Sequence, residues 1–171
     1  MKVKLDIIKQ NKDIEVAMRL INYGARLQML ECETQVKRSL LVKLHRELLG
    51  LSPAKGLLPF STDWFIIWEN NIHASIFYSI YANLIKLDPS RRVEVIIKAY
   101  RLYIEQCQSI VKDTPLLSIT RAWILVRFFE GDMLHQSTCT LCEGNFVTHS
   151  YQPKYEFLCS FCRTPSRAIK L

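Results

Sequence analysis

The sequence predicts a mainly α-helical fold: a multi-helix domain with a helix-turn-helix-like N-terminal part and a small β-hairpin near the C-terminus. Three observations predict it. Apolar residues recur at helical spacing through most of the chain. All six prolines fall at expected boundaries between segments. Four of the six cysteines form two CxxC pairs, at 139–142 and 159–162, with 16 residues between the pairs.

The composition fits one domain, or one domain with a small appendage, in a chain of 171 residues. Hydrophobic residues make up 49% and charged residues 23%, which excludes a disordered chain. The longest apolar runs, such as Trp64–Trp68, are far shorter than the ~20 residues of a membrane-spanning helix. The N-terminus is charged and lacks the apolar core of a signal peptide. We therefore expect a cytoplasmic protein with no membrane partner.

The apolar periodicity predicts five helices. Asp63 is expected to cap the third helix, and Asp113 or Thr114 the fifth, with Pro115 in its first turn. The first helix is apolar on most sides and the third is crowded with aromatic side chains, so each is expected in the core or, alternatively, against a partner subunit. The predicted helices span residues 14–31, 37–49, 63–86, 91–110 and 115–134.

Residues 25–49 have the pattern of a helix-turn-helix, in which one helix ends near 31–33, a polar turn follows, and a second helix begins near Val36. One arc of the second helix holds Val36 and four leucines, and the opposite arc is basic and includes His45. We expect the apolar arc to face the scaffold and the basic arc to face the major groove of DNA. The candidate DNA contacts are Arg38, Ser39, Val42, Lys43 and Arg46.

Each residue of the basic arc is suited to a particular contact. Arg38 and Ser39 lie near the N-terminal end of the second helix, where base edges are usually reached. Val42 is placed to touch a thymine methyl group, and Lys43 and Arg46 are placed to neutralise phosphates. The net charge of +7 favours a polyanionic partner. The same pattern fits an ordinary amphipathic surface helix, or an interface helix facing an acidic subunit, and that alternative stays open here.

The two cysteine pairs, Cys139 with Cys142 and Cys159 with Cys162, have the spacing of a four-thiolate zinc site. A redox dithiol is the alternative, but such a pair normally opens a helix in a βαβ unit, and the pattern predicts no such unit. Four cysteines leave no coordination position for water. We therefore expect one structural Zn²⁺ and no catalytic metal.

A zinc-ribbon-like hairpin is expected between the cysteine pairs. Residues 145–151 and 155–158 have strand patterns, with Gln152 and Pro153 as the turn. Gly144 suits the tight backbone next to the first pair. Two histidines are reserve ligands, although an exposed or supporting role is the commoner one for each: His135 and His149.

The C-terminal segment is also basic, and aromatic residues alternate with its cations. On a zinc ribbon this pattern can bind nucleic acid. Alternatively, the aromatic residues pack a small core and the cations are solvated, and both interpretations stay open. The candidate contacts in this segment are Lys154, Arg163, Arg167 and Lys170. The chain is thus expected to divide into residues 1–56 (helix-turn-helix-like), 57–137 (helical core and partner interface) and 138–171 (four-cysteine zinc-binding segment).

The sequence contains none of the common catalytic motifs considered below. The four histidines are scattered over separate segments, and GxSxG, P-loop, GxGxxG and HExxH motifs do not occur. An HxE followed by PCxxC, typical of base deaminases, does not occur either. We therefore expect a protein that is not an enzyme.

Several stretches of the chain resemble the FlhC family of bacterial flagellar regulators. They run in the family's order from residue 14 to residue 170 and together are specific. The matching stretches are GARLQMLECETQ (24–35), KGLLPFSTDWF (55–65), IKAYRLYIEQC (97–107), RAWILVRFFEGDML (121–134), CTLCEGNFVTH (139–149) and PSRAIK (165–170).

The resemblance implies a DNA-binding subunit of a transcriptional activator, which works in a hetero-oligomer with FlhD, binds promoters of flagellar operons and recruits RNA polymerase. It implies zinc on the four paired cysteines and strengthens the basic helix and the C-terminal segment as DNA contacts. Helices 14–31 and 63–86 become candidates for burying the partner. Family members often continue past PSRA with a longer basic tail, whereas this sequence stops at Leu171, so less DNA affinity is expected from the tail.

Two other functions stay open at this point. A zinc-stabilised scaffolding subunit would bind protein partners only, and its partner would supply the DNA affinity. An RNA-binding zinc ribbon would bind single-stranded RNA more tightly than duplex DNA.

Overall fold

A computed structural model describes residues 2–107, 115–152 and 156–164. This part of the chain confirms a mainly helical fold with a small antiparallel hairpin towards the C-terminus. A short 3₁₀ turn, Asp63–Phe65, precedes the fourth helix. The elements are α1 (Lys2–Asn22), α2 (Leu27–Glu33), α3 (Arg38–Leu49), α4 (Trp68–Leu87), α5 (Arg92–Cys107), α6 (Ile119–Glu130), β1 (Leu134–Thr138) and β2 (Asn145–His149).

The predicted first helix, 14–31, is wrong as a single element, because α1 ends at Asn22 and α2 begins at Leu27. Gly24 between them adopts a positive φ of 75°, which glycine reaches without steric cost. The amide of Ala25 then donates to the Leu20 carbonyl at 3.0 Å and closes the end of α1. The apolar pattern continues across this break, so periodicity alone predicted one long helix.

Two predicted helix starts are also wrong. Asp63 opens the 3₁₀ turn and caps no α-helix, since α4 begins only at Trp68. For α6 the cap is Ser118, whose Oγ accepts a hydrogen bond from the Arg121 amide at 3.3 Å. The caps expected at residues 113 and 114 lie outside the described residues. Ser118 precedes the apolar run directly, and this local signal was available in the sequence.

The hairpin pairs a different segment from the one predicted. β2 pairs with β1 in the register Leu134 with His149 and Thr138 with Asn145. The predicted fifth helix therefore ends too late, because α6 stops at Glu130 and the following residues form β1. In the described part of the predicted strand 155–158, residues 156–158 form no strand. The loop between β1 and β2 carries the first cysteine pair.

A single apolar cluster unites the helices. α4 packs against α5 and α6, and α1 packs against α3 and α5. The aromatic crowding of the predicted third helix serves this core, since Phe77 is fully buried and Tyr81 nearly so. The largest fully buried side chains are Trp123, Tyr100, Tyr103, Phe65, Phe77 and Phe128. α4 thus packs against α5, α6 and the hairpin, while α5 connects this part of the core to α1.

Candidate metal centre and nucleic-acid interface

The four paired cysteines come together at one end of the hairpin. Cys139 follows the last residue of β1, Cys142 lies in the loop between the strands, and Cys159 and Cys162 return from the next loop. All four Sγ atoms lie within 4.8 Å of one another, and the Sγ atoms of Cys142 and Cys159 are 3.7 Å apart. The expected clustering is confirmed, and the four sulfurs form a group that can hold a metal ion.

Both cysteine pairs are shaped by the same backbone turn. The amide of Glu143 donates to the Cys139 carbonyl, and the amide of Arg163 donates to the Cys159 carbonyl, each at 2.9 Å. Glu143, at φ 58°, adopts the left-handed conformation. Gly144 is needed for space, because a Cβ there would lie 3.0 Å from the Phe146 ring and 3.4 Å from Cys142 Sγ. Each turn brings two sulfurs to the same side of the backbone.

Backbone hydrogen bonds reach the sulfurs of Cys139 and Cys159. The amide of Cys159 donates to Cys139 Sγ at 3.3 Å, and the amide of Cys162 donates to Cys159 Sγ at 3.4 Å. The first of these bonds lowers the pKa of the Cys139 thiol to about 6. The crowded sulfurs, above all Cys159, raise the pKa of Cys162 to about 12. A cation among the four sulfurs would reverse that rise, because it favours every thiolate.

A small separate cluster surrounds the cysteines. Cys139, Cys159 and Phe146 are buried together, and Phe157 packs against them. The Phe146 ring lies 6.3 Å from Phe157 and 6.1 Å from Phe161, measured between centroids. Among the aromatic residues of the basic segment, Phe157 therefore packs into this small core. Phe161 is nevertheless 58% exposed, so it also contributes to the surface.

Neither reserve histidine joins the cysteine group. His149 is buried, and its Nε2 lies 3.1 Å from Asp63 Oδ1, which ties the end of β2 to the start of the 3₁₀ turn. His135 Nε2 lies 3.1 Å from the hydroxyl of Ser137 on the same strand. Both histidines therefore belong to the packing of the hairpin.

Polar side chains of α4 hold the hairpin in place. The Asn71 side-chain amide donates to the Phe65 carbonyl at 2.9 Å and to the Val147 carbonyl at 2.7 Å. The Val147 amide donates to the Ser75 hydroxyl at 2.9 Å. Trp68 Nε1 reaches the second cysteine loop by donating to the Ser160 carbonyl at 3.1 Å. These contacts place the cysteine group relative to the helical core.

Sequence reasoning missed these positioning residues, although a signal was present. Asn71, Ser75 and Ser79 follow one another at intervals of four, which places them on one side of a helix. A row of polar side chains on a mainly apolar helix indicates that this side packs against another element and does not face solvent. Ser79 continues the row, because its hydroxyl accepts from Gln136 Nε2 of β1 at 3.2 Å.

The predicted helix-turn-helix corresponds to α2 and α3. The turn is confirmed at residues 34–37, and α3 begins at Arg38. Val36 and Leu41 are buried as expected. His45 was expected on the basic arc, and this is wrong: it is 7% exposed, and its Nδ1 lies 2.9 Å from the Leu51 carbonyl. The loop after α3 folds back and covers that position.

The candidate DNA contacts on α3 are largely exposed. The side chain of Arg38 is 67% exposed and pairs with Glu31 at 2.5 Å. The side chain of Lys43 is 70% exposed and lies 3.7 Å from Glu47 on the next turn. Of the other three candidates, Ser39 and Arg46 are exposed and Val42 is half-buried. All except Val42 are therefore accessible to a partner.

In the C-terminal segment, Arg163 is exposed beside the second cysteine pair. The other three candidates, Lys154, Arg167 and Lys170, lie outside the described residues.

A buried ion pair fixes the turn between α2 and α3. Asp13 of α1 is 1% exposed, accepts from Arg91 at 2.5 Å and accepts from the Gln35 amide at 3.0 Å. Burial alone would raise the pKa of Asp13, but the hydrogen bonds from Arg91 and Gln35 outweigh it and hold the pKa below its ordinary value. Arg91 also donates to the Glu33 carbonyl at 2.9 Å. The turn is thus attached to two helices that are distant in sequence.

A second arginine extends this network to α6. Arg92 contacts Glu33 at 2.6 Å and Glu130 at 2.7 Å. The same Glu33 oxygen accepts from the Trp123 indole nitrogen at 2.7 Å. The C-terminal end of α2 is therefore held by charged and polar side chains from α5 and α6.

Comparisons of the sequence with known proteins match one family over the whole chain. Among the described helices, none has the length and apolar character needed to cross a membrane. The family model of the flagellar transcriptional activator FlhC matches residues 1–171. The chain is 56% identical to the flagellar transcriptional regulator FlhC of Proteus mirabilis, with 96% of this chain and 85% of that protein aligned.

Two further relatives show the same extent of similarity. The FlhC proteins of Serratia marcescens and Yersinia enterocolitica are each 55% identical to the chain. The alignments cover 99% and 98% of this chain, and 88% and 87% of the relatives. The family regulates transcription, which is not an enzymatic activity. The chain belongs to the FlhC family of flagellar transcriptional activators.

Proposed function

We propose that the chain is the DNA-binding subunit of its activator. It works in the cytoplasm in a hetero-oligomer with an FlhD-type subunit, binds double-stranded promoter DNA of flagellar operons and recruits RNA polymerase. The observation that carries the proposal is the exposed basic side of α3, which follows a short turn after α2 while its other side packs into the core. This is the arrangement that a recognition helix needs.

The proposed contacts follow from position on α3. Arg38 and Ser39 begin the helix and read base edges, and Val42 meets a thymine methyl group. Lys43 and Arg46, further along, neutralise phosphates. In the C-terminal segment a second group of cations adds contacts to the backbone: Lys154, Arg163, Arg167 and Lys170.

We also propose that the four cysteines, Cys139, Cys142, Cys159 and Cys162, hold one structural Zn²⁺. Sulfurs at the corners of a tetrahedron, each about 2.3 Å from zinc, are about 3.8 Å apart. The 3.7 Å between the Sγ atoms of Cys142 and Cys159 supports that geometry. Four thiolates close the site to water, so the metal supplies folding energy and no catalysis.

The proposal divides the work along the chain. Residues 1–56 contact DNA, residues 57–137 form the core and the partner interface, and residues 138–171 bind the metal. The hydrogen bonds that Asn71 and Ser75 of α4 make with Val147 of β2 support a direct connection between the second and third parts.

A gel shift on a flagellar promoter fragment tests the proposal. Three samples are compared: the chain alone, the complex co-purified with its FlhD-type partner, and that complex after zinc removal. We expect a specific shift by the complex, and we expect chelation to abolish it. A folded, zinc-loaded complex that gives no specific shift would refute DNA binding.

Charge reversal identifies the recognition helix. Arg38→Glu is expected to weaken promoter binding and to reduce the slope of log affinity against log salt by about one if a phosphate contact is also lost. Arg101→Glu is a matched comparison, because Arg101 is 66% exposed in an ion pair on α5. Equal binding by the two variants would show that α3 is not the recognition helix.

A scaffolding role is a second candidate, and one observation favours it. The segment after α3 exposes large apolar side chains, with Leu57 at 91%, Phe60 at 70% and Leu51 at 69% exposure. Exposed apolar side chains this close together are typical of a protein-binding surface. A crosslinking map of the promoter complex separates the two functions, because crosslinks from DNA to the partner alone would favour scaffolding.

A further inference from the structure

The loop after α3 folds back and becomes part of the surface that α3 presents. Gln28 Nε2 of α2 donates to the Gly56 carbonyl at 2.9 Å, and Arg46 Nε of α3 lies 3.4 Å from the Ser52 hydroxyl. Arg26 adds a hydrogen bond to the Leu57 carbonyl. Side chains from both helices therefore hold the loop at a defined distance from α3.

Between α3 and this loop lies a groove of about 440 Å³, called here the basic groove. One wall is the stripe of α3 formed by Arg38, Val42 and Arg46, which are four residues apart and so share one side of the helix. The other wall is the loop 52–56, including Lys55. None of the residues that line the groove is acidic.

The charges around the basic groove are only partly neutralised. Arg38 is paired with Glu31 at the edge of the groove. Among the ion pairs of the described residues, none involves Arg46 or Lys55. Both side chains belong to exposed residues. Two cations from opposite walls thus line one groove, which favours an anion.

We propose that the basic groove binds the phosphate backbone of one DNA strand, gripped between Arg46 of α3 and Lys55 of the loop. This proposal rests on the proposed function. It assigns a DNA contact to the loop 52–56, which lies outside the helix-turn-helix pattern of residues 25–49. Arg46 lies about two helical turns beyond Arg38, so a phosphate can bind at the Arg46 end of the groove while Arg38 reaches a base edge. A space with a wall on each side suits a phosphate strand, which projects outward from the duplex.

The test measures affinity against salt for the co-purified complex with Lys55→Gln, with Arg46→Gln and with both. The DNAs are the flagellar promoter and a scrambled duplex of equal length. Each single variant is expected to flatten the log–log salt slope by about 0.9, which weakens binding about eightfold near 0.1 M salt. The loss should be equal on both DNAs, since a phosphate contact carries no sequence information.

Lys86→Gln provides the matched variant, because Lys86 is exposed at the end of α4 and is not among the residues that line the groove. We expect its salt slope to equal that of the parent complex. Unchanged melting of all variants shows that the loop substitution acts on binding and not on folding.

The outcomes separate this proposal from the proposed function. If the parent complex binds no promoter DNA, the proposed function fails and the groove assignment fails with it. If the parent binds and Lys55→Gln keeps the parent slope, only the groove assignment is overturned. A loss on the promoter but not on the scrambled duplex would make Lys55 a base contact, and an equal loss from Lys86→Gln would indicate a general charge effect. Either result overturns the phosphate assignment.

Discussion

The cysteine end of the hairpin and the α2–α3 region are stabilised in different ways. Around the cysteines the buried cluster consists of Cys139, Cys159 and Phe146. The α2–α3 region instead buries residues such as Leu30 and Leu41 in the main core and is tied to α1 and α5 through charged side chains. So small a cluster buries too little apolar surface to offset the entropy of ordering its loops, and we therefore expect it to depend on the proposed metal. The other region depends on partners distant in sequence.

The largest expected effect comes from breaking the cysteine group. Cys142→Ser should lose the metal and unfold the loops around it, because structural zinc contributes ~10–16 kcal/mol of apparent binding free energy in finger peptides. We expect metal content to fall and hydrogen exchange to become fast in the hairpin loop, while the far-ultraviolet circular dichroism keeps a helical signal.

Cys32→Ser serves as the reference, because Cys32 is an exposed cysteine outside the group. It should keep both metal and stability. A soluble Cys142→Ser protein with unchanged melting and full metal content would remove the contrast between the two regions.

A smaller effect is expected in the α2–α3 region from Asp13→Asn. The change weakens the bond from Arg91 and loses charge at a buried site, which should cost ~2 kcal/mol of unfolding free energy. Denaturant unfolding measures the cost. Glu105→Gln, in an exposed pair with Arg101, should cost less than ~0.5 kcal/mol. Equal costs would mean that the network does not anchor the turn.

The same carboxylate predicts a pH dependence. Because its folded-state pKa is lowered, the stability that Asp13 adds is fully present above the ordinary pKa near 3.8 and is lost as pH falls through the lowered value. The difference in unfolding free energy between the parent and Asp13→Asn should therefore shrink below about pH 4. A difference that stays constant to lower pH would contradict the assignment.

The smallest effect is expected from the hydrogen bonds between α4 and the hairpin. Ser75→Ala leaves the buried Val147 amide without its acceptor and should cost ~1 kcal/mol. Ser79→Ala should cost less, because its partner Gln136 is a half-buried side chain that can turn towards water. Thermal melting of both variants ranks them, and the reverse order would show that α4 holds the hairpin mainly through β1.

The features that the sequence predicted well are local ones. The cysteine group follows from two short spacings, because a CxxC turn fixes its own geometry wherever the chain runs. The turn at residues 34–37 likewise follows from a polar interruption between apolar segments. Most helices were found for the same reason, but the first was not, because α1 begins twelve residues before the predicted start at residue 14 and the predicted span covers two helices.

The features that it missed depend on tertiary contacts. His45 was assigned by residue type to the basic arc, but the carbonyl that covers it belongs to a loop whose path no periodicity encodes. β1 reads as the tail of a helix until β2 is present as its partner. Gly24 is the exception, since a helix-ending glycine is a local signal that the continuing apolar pattern concealed.

The long sequence separations in the Asp13 network bear on the order of synthesis. Asp13 and Arg91 are 78 positions apart, and Glu33 and Trp123 are 90 apart. A chain emerging from the ribosome exposes α2 and α3 well before the arginines that fix the turn between them, at ~5–20 residues per second. The basic helix is therefore translated seconds before it acquires its final orientation. The speed of translation from residue 50 to residue 92 sets the length of that interval.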